Sequence, residues 1–285
     1  MKIVKTIKTL RRVLAAYRLR GKTIGFVPTM GYLHDGHLEL MRRCARENDV
    51  TVVSLFVNPL QFGPKEDLAR YPRDFKRDAA LAKSAGVDFL FVPPVEDMYP
   101  EPVLTHVEVG KIGDILCGAS RPGHFRGVAT VVAKLLNVVQ PGVMYLGQKD
   151  AQQVAVIKRM VRDLNMPVKI AVCPTRREPD GLAMSSRNVY LSPSERSQAP
   201  ALHEALSNAW RSIASGERDG SKIISEIKML LKKKTSARID YVSIVDVKTF
   251  TPTKIIKRDV LIALAAWFGK TRLIDNMVVK INAKK

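Results

Sequence analysis

Short apolar runs rich in β-branched residues alternate with segments of helical periodicity over the first 173 residues. The runs lack the apolar–polar alternation of a half-exposed strand, so they predict strands buried on both faces. These strands are expected at residues 23–27, 50–57, 87–92, 143–146 and 168–173. Helices are expected between them, at residues 36–46, 65–85, 125–139 and 151–164. Alternating strand and helix predicts an α/β fold, a Rossmann-like doubly wound parallel sheet.

The pattern changes after residue 174. A turn-rich segment at 178–181 precedes Ser192-Pro193, which is typical of a helix N-cap followed by proline at the first helical position. Two helices are expected at 194–215 and 221–233, followed by strands at 239–245, 260–266 and 271–279. We therefore expect a Rossmann-like domain over residues 1–175 and a smaller α+β domain over 176–285, with a hinge between residues 176 and 192.

The first 22 residues are basic, and the first acidic residue of the chain is Asp35. This composition allows two interpretations, a transit peptide or a structural helix. Apolar residues share one helical face, and no small-residue cleavage site precedes the first predicted strand. These residues are Ile7, Leu10, Leu14 and Tyr17. A structural first helix is the favoured interpretation.

Composition adds a strong positive charge to this picture. The chain has 285 residues, and 47 Lys and Arg against 27 Asp and Glu leave a formal net charge of +20. Such a surplus favours anionic ligands such as nucleotides, carboxylates, phosphates or nucleic acid. The three widely spaced cysteines indicate free thiols in a reducing, cytoplasmic setting. The longest apolar run, residues 260–268, is too short to cross a bilayer, so no membrane association is expected.

Two histidines flank the turn that follows the first buried strand of the alternating pattern. Residues 28–31, Pro-Thr-Met-Gly, end this strand, and His34-Asp35-Gly36-His37 opens the next helix. Unpaired backbone N–H groups and the helix dipole at such a position favour a phosphate chain. The pair is what we expect of a nucleotidyl transferase; the alternative is that His34 caps the helix and His37 is a surface residue. No third ligand lies at metal-binding spacing, so no protein metal site is predicted.

The histidine turn and five further blocks carry a family resemblance over essentially the whole chain. The further blocks are Phe-Val-Asn-Pro-Leu-Gln-Phe at 56–62, Arg-Pro-Gly-His-Phe-Arg-Gly at 121–127, Gly-Gln-Lys-Asp-Ala-Gln-Gln at 147–153, Arg-Glu-Pro-Asp-Gly-Leu-Ala-Met-Ser-Ser-Arg-Asn at 177–188 and Thr-Arg-Leu-Ile-Asp-Asn at 271–276. In this ordered set the chain resembles the pantothenate synthetases, members of the nucleotidyltransferase superfamily that includes class I aminoacyl-tRNA synthetases.

The resemblance implies a ligase that condenses D-pantoate with β-alanine through a pantoyl adenylate, with ATP converted to AMP and diphosphate. It implies catalytic roles for His34, His37, Lys149 and Arg187. It also implies that Mg²⁺ is bound mainly through the nucleotide phosphates, since no acidic cage is visible. A homodimer is expected from the resemblance alone.

The same resemblance assigns binding residues position by position. The ATP-binding residues are Met30, Gly31, Tyr32, Leu33, His34, Asp35, Gly36, His37, Gly147, Gln148, Lys149, Asp150, Arg176, Met184, Ser185, Ser186 and Arg187. The pantoate and β-alanine residues are Gln61, Gln153, Asn58, Tyr71 and His124. The side chains of Tyr32, Gln148 and Arg176 depart from the family's common pattern, but none of them is an assigned catalytic group.

Two other classes of protein are compatible with a basic α/β chain. One is a cytidylyltransferase-like or tRNA-charging enzyme, and the other is a nucleic-acid-binding protein without catalysis. No anticodon-binding module is visible, and aromatic residues make up only 6% of the chain without being interleaved with basic ones. We therefore expect small-molecule substrates and no specific nucleic-acid partner.

Overall fold

The computed structural model describes residues 1–64 and 66–281. The chain divides into two compact units. The first comprises Met1–Gln148 and Gln152–Pro174, and the second comprises Lys149–Ala151 together with the chain from Thr175 onward.

The first unit is a six-stranded parallel sheet flanked by helices. Its strands are β1 (Lys2–Val4), β2 (Ile24–Thr29), β3 (Val50–Leu55), β4 (Phe89–Phe91), β5 (Val143–Gly147) and β6 (Lys169–Cys173). Its helices are α1 (Ile7–Leu19), α2 (Asp35–Glu47), α3 (Phe75–Ser84), α4 (Val95–Met98), α5 (Cys117–Ser120), α6 (His124–Val139) and α7 (Ala151–Asp163). The strand order is β1-β4-β3-β2-β5-β6, and every pairing is parallel. The predicted doubly wound fold is confirmed.

Two local features of this unit differ from the sequence prediction. Strand β1 was not expected, because it is three residues long with only Val4 buried, and it is defined by pairing with β4. The helix predicted over 65–85 begins only at Phe75, since Pro72 precedes it and Asp74 caps it by accepting the Arg77 N–H at 3.0 Å. Lys65, where the prediction began, lies outside the described residues.

The order of the strands reverses between β2 and β5, which are neighbours in the sheet. The chain leaves β2 towards β3 and β4, then returns to β5 on the other side. In open parallel sheets the connecting loops diverge at such a switch point and leave a crevice at the carboxyl ends of the strands. Residues 30–37 follow β2 here, and Gly147 ends β5.

Helix α2 packs closely on the sheet beneath this crevice. Its Leu38, Met41 and Cys44 are buried. Close packing depends on Gly25 in β2, because a Cβ atom there would lie 2.4 Å from the Cys44 Sγ and 2.5 Å from the Asn48 Nδ2. The glycine thus lets the end of α2 approach the sheet.

The second unit contains a three-stranded antiparallel sheet with helices packed on one face. Its elements are a 3-10 turn (Ser186–Tyr190), helices α8 (Pro193–Gln198), α9 (Ala201–Ala214) and α10 (Gly220–Lys234), and strands β7 (Arg238–Asp246), β8 (Val260–Phe268) and β9 (Thr271–Val279). The strand order is β7-β8-β9, so β9 is an edge strand of this sheet. The smaller α+β fold predicted after residue 174 is confirmed.

The helix predicted over 194–215 is two helices, α8 and α9, separated at Ala199 and Pro200 because proline cannot continue the hydrogen-bond ladder. The predicted Ser192 cap is confirmed, with Glu195 completing a capping box. All three cysteines are free and buried, as expected. None of the helices in the described ranges is long and apolar enough to span a bilayer.

We expect Gly25→Ala to lower the free energy of unfolding by about 1–3 kcal/mol, because the new methyl overpacks the contact between β2 and α2. Urea denaturation measures the change. Gly142→Ala is the control, since its Cβ would meet only the Ile24 carbonyl oxygen at 3.9 Å. Equal stability of the two variants would contradict the packing argument.

Candidate active site

The turn after β2 has an unusual backbone path. Gly31 and Tyr32 both have positive φ angles, +88° and 49°. Glycine adopts this conformation readily, but tyrosine does so only when surrounding contacts hold it there. Leu33 then inserts its fully buried side chain into the core, and His34 becomes the residue that precedes α2.

A buried carboxylate provides those contacts. Asp78 of α3 is 2% exposed, and it accepts the Tyr32 N–H at 2.7 Å and the Leu33 N–H at 2.8 Å. The Arg77 guanidinium lies 3.8 Å from the same carboxylate and over the Tyr32 ring. Two charge-assisted bonds to consecutive N–H groups hold the left-handed turn in place.

The two histidines face each other at the start of α2. Their ring centroids are 4.1 Å apart, and the Nδ1 of His37 accepts the His34 backbone N–H at 3.4 Å. Because this nitrogen is an acceptor, the proton of a neutral His37 ring lies on Nε2. The imidazole can therefore donate from Nε2 without carrying a charge.

Most backbone N–H groups of the turn are already used within the protein, which differs from the expectation that they are unpaired. The Gly31 N–H is donated to the Thr29 Oγ1 at 3.3 Å, and those of residues 32–34 are donated to Asp78 and His37. Helix geometry leaves the N–H groups of Asp35 and Gly36 without intrahelical acceptors. The histidine rings and this first helical turn are thus the groups suited to bind an anion.

A cluster of amides lies after β3. Asn58 is 1% exposed; its Oδ1 accepts the Tyr99 hydroxyl at 2.8 Å, and its Nδ2 donates to the Gly127 carbonyl at 3.1 Å and the Gln61 Oε1 at 3.3 Å. The Gln61 Nε2 lies 2.9 Å from the Met30 Sδ. Asn58 thus supports Gln61, and Gln61 in turn meets the strand end that leads into the histidine turn.

The approach of α6 to this cluster requires glycine. A Cβ at Gly127 would lie 2.1 Å from the Leu60 carbonyl oxygen, so no other residue permits the same backbone contact. At the start of α6, the His124 Nδ1 lies 2.8 Å from the Gln61 carbonyl oxygen, and its Nε2 lies 3.0 Å from the Arg121 Nη1. Since a guanidinium only donates, the Nε2 accepts and the ring proton lies on Nδ1.

Arg121 is held by an acid that sequence reasoning did not single out. Glu66 receives the Arg121 Nε at 2.8 Å and its Nη2 at 2.5 Å. Burial opposes ionisation of this carboxyl, but the hydrogen bonds from Arg121 outweigh it, so the pKa of Glu66 is lowered. Glu66, Arg121, His124 and Gln61 therefore form one charge-balanced network.

Of the other residues predicted near the organic substrates, Tyr71 is buried and packs edge-on against Phe62 at 6.0 Å. Gln153 is partly buried on the first turn of α7. Its neighbour Gln152 is a scaffold residue, which holds the 112–117 loop by accepting the Cys117 N–H and donating to the Ile112 and Ile115 carbonyls.

The predicted phosphate-binding residues of the second unit lie on two segments. Lys149 is 20% exposed at its side chain, and its Nζ lies 3.3 Å from the Asp150 Oδ1. Met184, Ser185 and Arg187 are partly buried, Ser186 is buried, and the Ser185 hydroxyl accepts the Arg187 N–H at 3.3 Å. Arg176 is exposed, and its carbonyl accepts the Met184 N–H at 3.0 Å.

Within the first unit, the structure brings Met30, Asn58, Gln61 and His124 into one network and places His34 and His37 together at the helix start. Sequence reasoning missed Asp78, Glu66 and Tyr99 in these networks, and it quoted Arg121 only as part of a motif. One signal for Asp78 was available: it is an acid four residues before the buried Ala82 on the same helical face.

A doubly wound parallel sheet with a switch point between β2 and β5 places the chain in the class of Rossmann-type α/β proteins, which bind ligands in the crevice at that point. The comparisons with known proteins specify the family. The sequence profile described as Pantoate-beta-alanine ligase matches residues 2–278. The chain therefore belongs to the pantoate-beta-alanine ligase family, and the resemblance seen in its motifs is confirmed.

Relatives and solved structures agree with this assignment over their full lengths. The chain is 57% identical to the pantothenate synthetase of Thermotoga petrophila over 98% of this chain and 100% of the relative, and 54% identical to that of Moorella thermoacetica over 99% and 100%. A pantothenate synthetase structure from Thermus thermophilus matches with a TM-score of 0.92, 48% identity, and coverage of 97% and 99%. The pantoate-beta-alanine ligase of Francisella tularensis, described as complexed with beta-gamma ATP and β-alanine, matches with a TM-score of 0.80, 38% identity, and coverage of 98% and 97%.

We expect Asp78→Asn to lower the free energy of unfolding by about 1–3 kcal/mol, because the amide keeps one acceptor but turns an NH₂ group towards a buried N–H. Chemical denaturation measures the loss. Asp74→Asn on the same helix is the matched control, since asparagine caps a helix as well as aspartate does. Wild-type stability of Asp78→Asn would show that the turn does not depend on this carboxylate.

Proposed function

We propose that this chain condenses D-pantoate with β-alanine at the expense of ATP, releasing pantothenate, AMP and diphosphate. The observation that carries the proposal is the turn that presents His34 and His37 together at the switch point of the sheet. Membership of the ligase family supports the same reaction. The positive net charge favours accumulation of the anionic substrates around the protein.

The chemistry explains why a nucleotide is needed. A carboxylate does not acylate an amine in water, because the oxygen that must leave is a poor leaving group. When the pantoate carboxylate attacks the α-phosphorus of ATP, diphosphate leaves and the carboxyl oxygen becomes part of an adenylate. The β-alanine amine then attacks the acyl carbon, and AMP leaves with that oxygen. This sequence requires no protein nucleophile, so catalysis depends on positioning and charge stabilisation.

Four side chains are proposed to act on the phosphates. The Nε2 of His37 donates to a phosphate oxygen, a role that its Nδ1 contact with the His34 N–H supports by setting the tautomer. His34 contacts the same phosphates. Lys149 supplies a point charge, and the planar guanidinium of Arg187 can pair with two phosphate oxygens at once. The other residues that the resemblance assigns to ATP are proposed to contact the nucleotide as well. They are Met30, Gly31, Tyr32, Leu33, Asp35, Gly36, Gly147, Gln148, Asp150, Arg176, Met184, Ser185 and Ser186.

Neutral amides are proposed to bind pantoate. Gln61 and Gln153 each offer a donor and an acceptor, which suits a ligand with a carboxylate and two hydroxyl groups. The Asn58, His124 and Met30 contacts support this assignment, since they hold Gln61 in one orientation. Gln61 is also proposed to contact β-alanine.

Magnesium is proposed to enter as the magnesium complex of ATP. The resemblance implies that the nucleotide phosphates supply most of its ligands. Among the described residues, no group of three or more His, Cys, Asp or Glu side chains could hold a metal ion. A homodimer is proposed from the resemblance and a cytoplasmic location from the free cysteines; light scattering tests the first and cell fractionation the second.

We expect ATP–diphosphate exchange with pantoate alone, and sustained diphosphate release only when β-alanine is also present. Exchange requires a reversible first step, whereas net turnover requires the amine to remove the adenylate. Labelled diphosphate incorporated into ATP measures the first activity, and a coupled assay measures the second. The two-step reaction would be contradicted if ATP–diphosphate exchange required β-alanine. It would also be contradicted if pantoate supported no exchange at all.

Two substitutions separate the roles of the His37 nitrogens. We expect His37→Asn, which keeps an acceptor near the Nδ1 position, to fold normally but to lose about 10²–10³-fold in kcat, because the Nε2 donor is gone. His37→Gln, which places an amide nitrogen near the Nε2 position, should retain more activity than His37→Asn. Steady-state kinetics and circular dichroism measure both. Full activity of His37→Asn would remove the proposed role.

A further inference from the structure

Two adjacent polar residues on the edge strand β9 are buried, although neither belongs to the proposed substrate-binding residues. Asp275 is 3% exposed and Asn276 is 6% exposed. Successive side chains of a strand point to opposite faces of the sheet, so these two reach different neighbours. Burial of a carboxylate and an amide costs free energy unless both are hydrogen-bonded, which makes their partners informative.

Asp275 holds the hairpin that leads into the Met184–Arg187 segment. Its carboxylate accepts hydrogen bonds from both terminal guanidinium nitrogens of Arg177, from Nη1 at 2.7 Å and from Nη2 at 3.0 Å. The same Nη1 donates to the Gly181 carbonyl at 3.1 Å, and Arg177 pairs with Ala183 in a β-bridge. Arg177 therefore bonds to both sides of the hairpin and connects it to β9. The hairpin ends at Ala183, one residue before Met184.

The geometry of Asp275 is itself restrained. Its Oδ1 also accepts the backbone N–H of Asn276 at 2.7 Å, so the carboxylate cannot rotate without losing a bond. Arg177 is 19% exposed and Asp275 2% exposed at their side chains, which keeps most water away from the pair. A bidentate pair of this kind adds orientation as well as attraction.

Asn276 holds the other phosphate-binding segment. Its Nδ2 donates to the carbonyl oxygen of Lys149 at 2.8 Å. A lysine side chain is a flexible four-carbon stem, so the region that its ammonium group can reach is set first by where its backbone is held. Asn276 supplies that restraint at the residue itself, just after the end of β5.

We propose that Asp275 and Asn276 are positioning residues for the adenylation step. Asp275 orients Arg187 and its segment through Arg177, and Asn276 orients Lys149 through its backbone carbonyl. Two neighbouring residues of one strand thereby set the geometry of two cations that are separated by 38 positions in the chain. This inference rests on the proposed function, in which Lys149 and Arg187 bind the phosphates of ATP.

The test combines single and double substitutions in the full-length protein. We expect Asn276→Ala and Asp275→Asn each to lower kcat/KM for ATP by about ten- to a hundredfold, because small misplacement of a catalytic group has effects of this size. Circular dichroism should show that both variants fold, but Asp275→Asn should lower the melting temperature because it breaks a buried ion pair, so the kinetics are measured well below that temperature. Asn208→Ala and Glu204→Gln are matched controls, since they remove an amide contact with Arg211 and an ion pair with Lys234 from helix α9 in the same unit.

Double substitutions distinguish positioning from a structural role. If Asn276 acts through Lys149, then Asn276→Ala should change the activity of a Lys149→Ala enzyme by less than about twofold, yet keep its full effect in an Arg187→Ala enzyme. Asp275→Asn should show the opposite dependence. ATP–diphosphate exchange is the readout, because it detects the first step at low activity.

The proposal would be overturned if Asn276→Ala caused the same fold loss in the wild-type and Lys149→Ala enzymes, or if Asp275→Asn caused the same fold loss in the wild-type and Arg187→Ala enzymes. Wild-type activity of Asn276→Ala and Asp275→Asn would overturn it as well. If Asp275→Asn does not fold, Arg177→Lys takes its place, since it keeps the charge and loses the bidentate geometry. If Lys149→Ala and Arg187→Ala are impaired but the variants of Asp275 and Asn276 are fully active, this inference is rejected and the proposed phosphate-binding roles are not. Full activity of Lys149→Ala and Arg187→Ala would reject the proposed phosphate-binding roles, and this inference with them.

Discussion

Asp78 accepts two consecutive backbone N–H groups of the turn after β2, and the path of the chain into α2 depends on this pair of bonds. These bonds stabilise the left-handed conformation of Tyr32, and the same turn places the side chain of Leu33 in the core. The direction in which His34 and His37 extend from the helix start follows from the same turn. A carboxylate contributed by α3 therefore determines the geometry of the histidine pair.

The same arrangement recurs in both units: polar groups hold one another, and they support the side chains that are proposed to contact the substrates. Asn58 and the His124–Arg121–Glu66 chain hold Gln61. In the second unit, Asp275 and Asn276 bond to the segments that carry Arg187 and Lys149. Such supporting contacts reduce the reorganisation required when charge develops on a phosphate.

Sequence reasoning predicted the sheet well because strands buried on both faces are largely apolar and β-branched, as in β3, whose six residues are all buried although two of them are Thr51 and Ser54. It located the histidine turn because both histidines are close in sequence. It could not predict Asp78 as a partner of Tyr32, since the two are 46 residues apart and an acid on a helix is usually solvated. The break before α9 depends on Pro200, which interrupts the helical hydrogen bonds. The short β1 depends on pairing with the distant strand β4.

This protein is proposed to activate a carboxylate by transferring its oxygen to the α-phosphorus of ATP. Pantoate labelled with ¹⁸O in both carboxyl oxygens tests the claim directly, with mass spectrometry of the products after turnover with unlabelled ATP and β-alanine. The account predicts AMP that carries one ¹⁸O atom and pantothenate that keeps the other. Unlabelled AMP together with ¹⁸O in phosphate or diphosphate would contradict it, since attack would then have occurred at a different phosphorus.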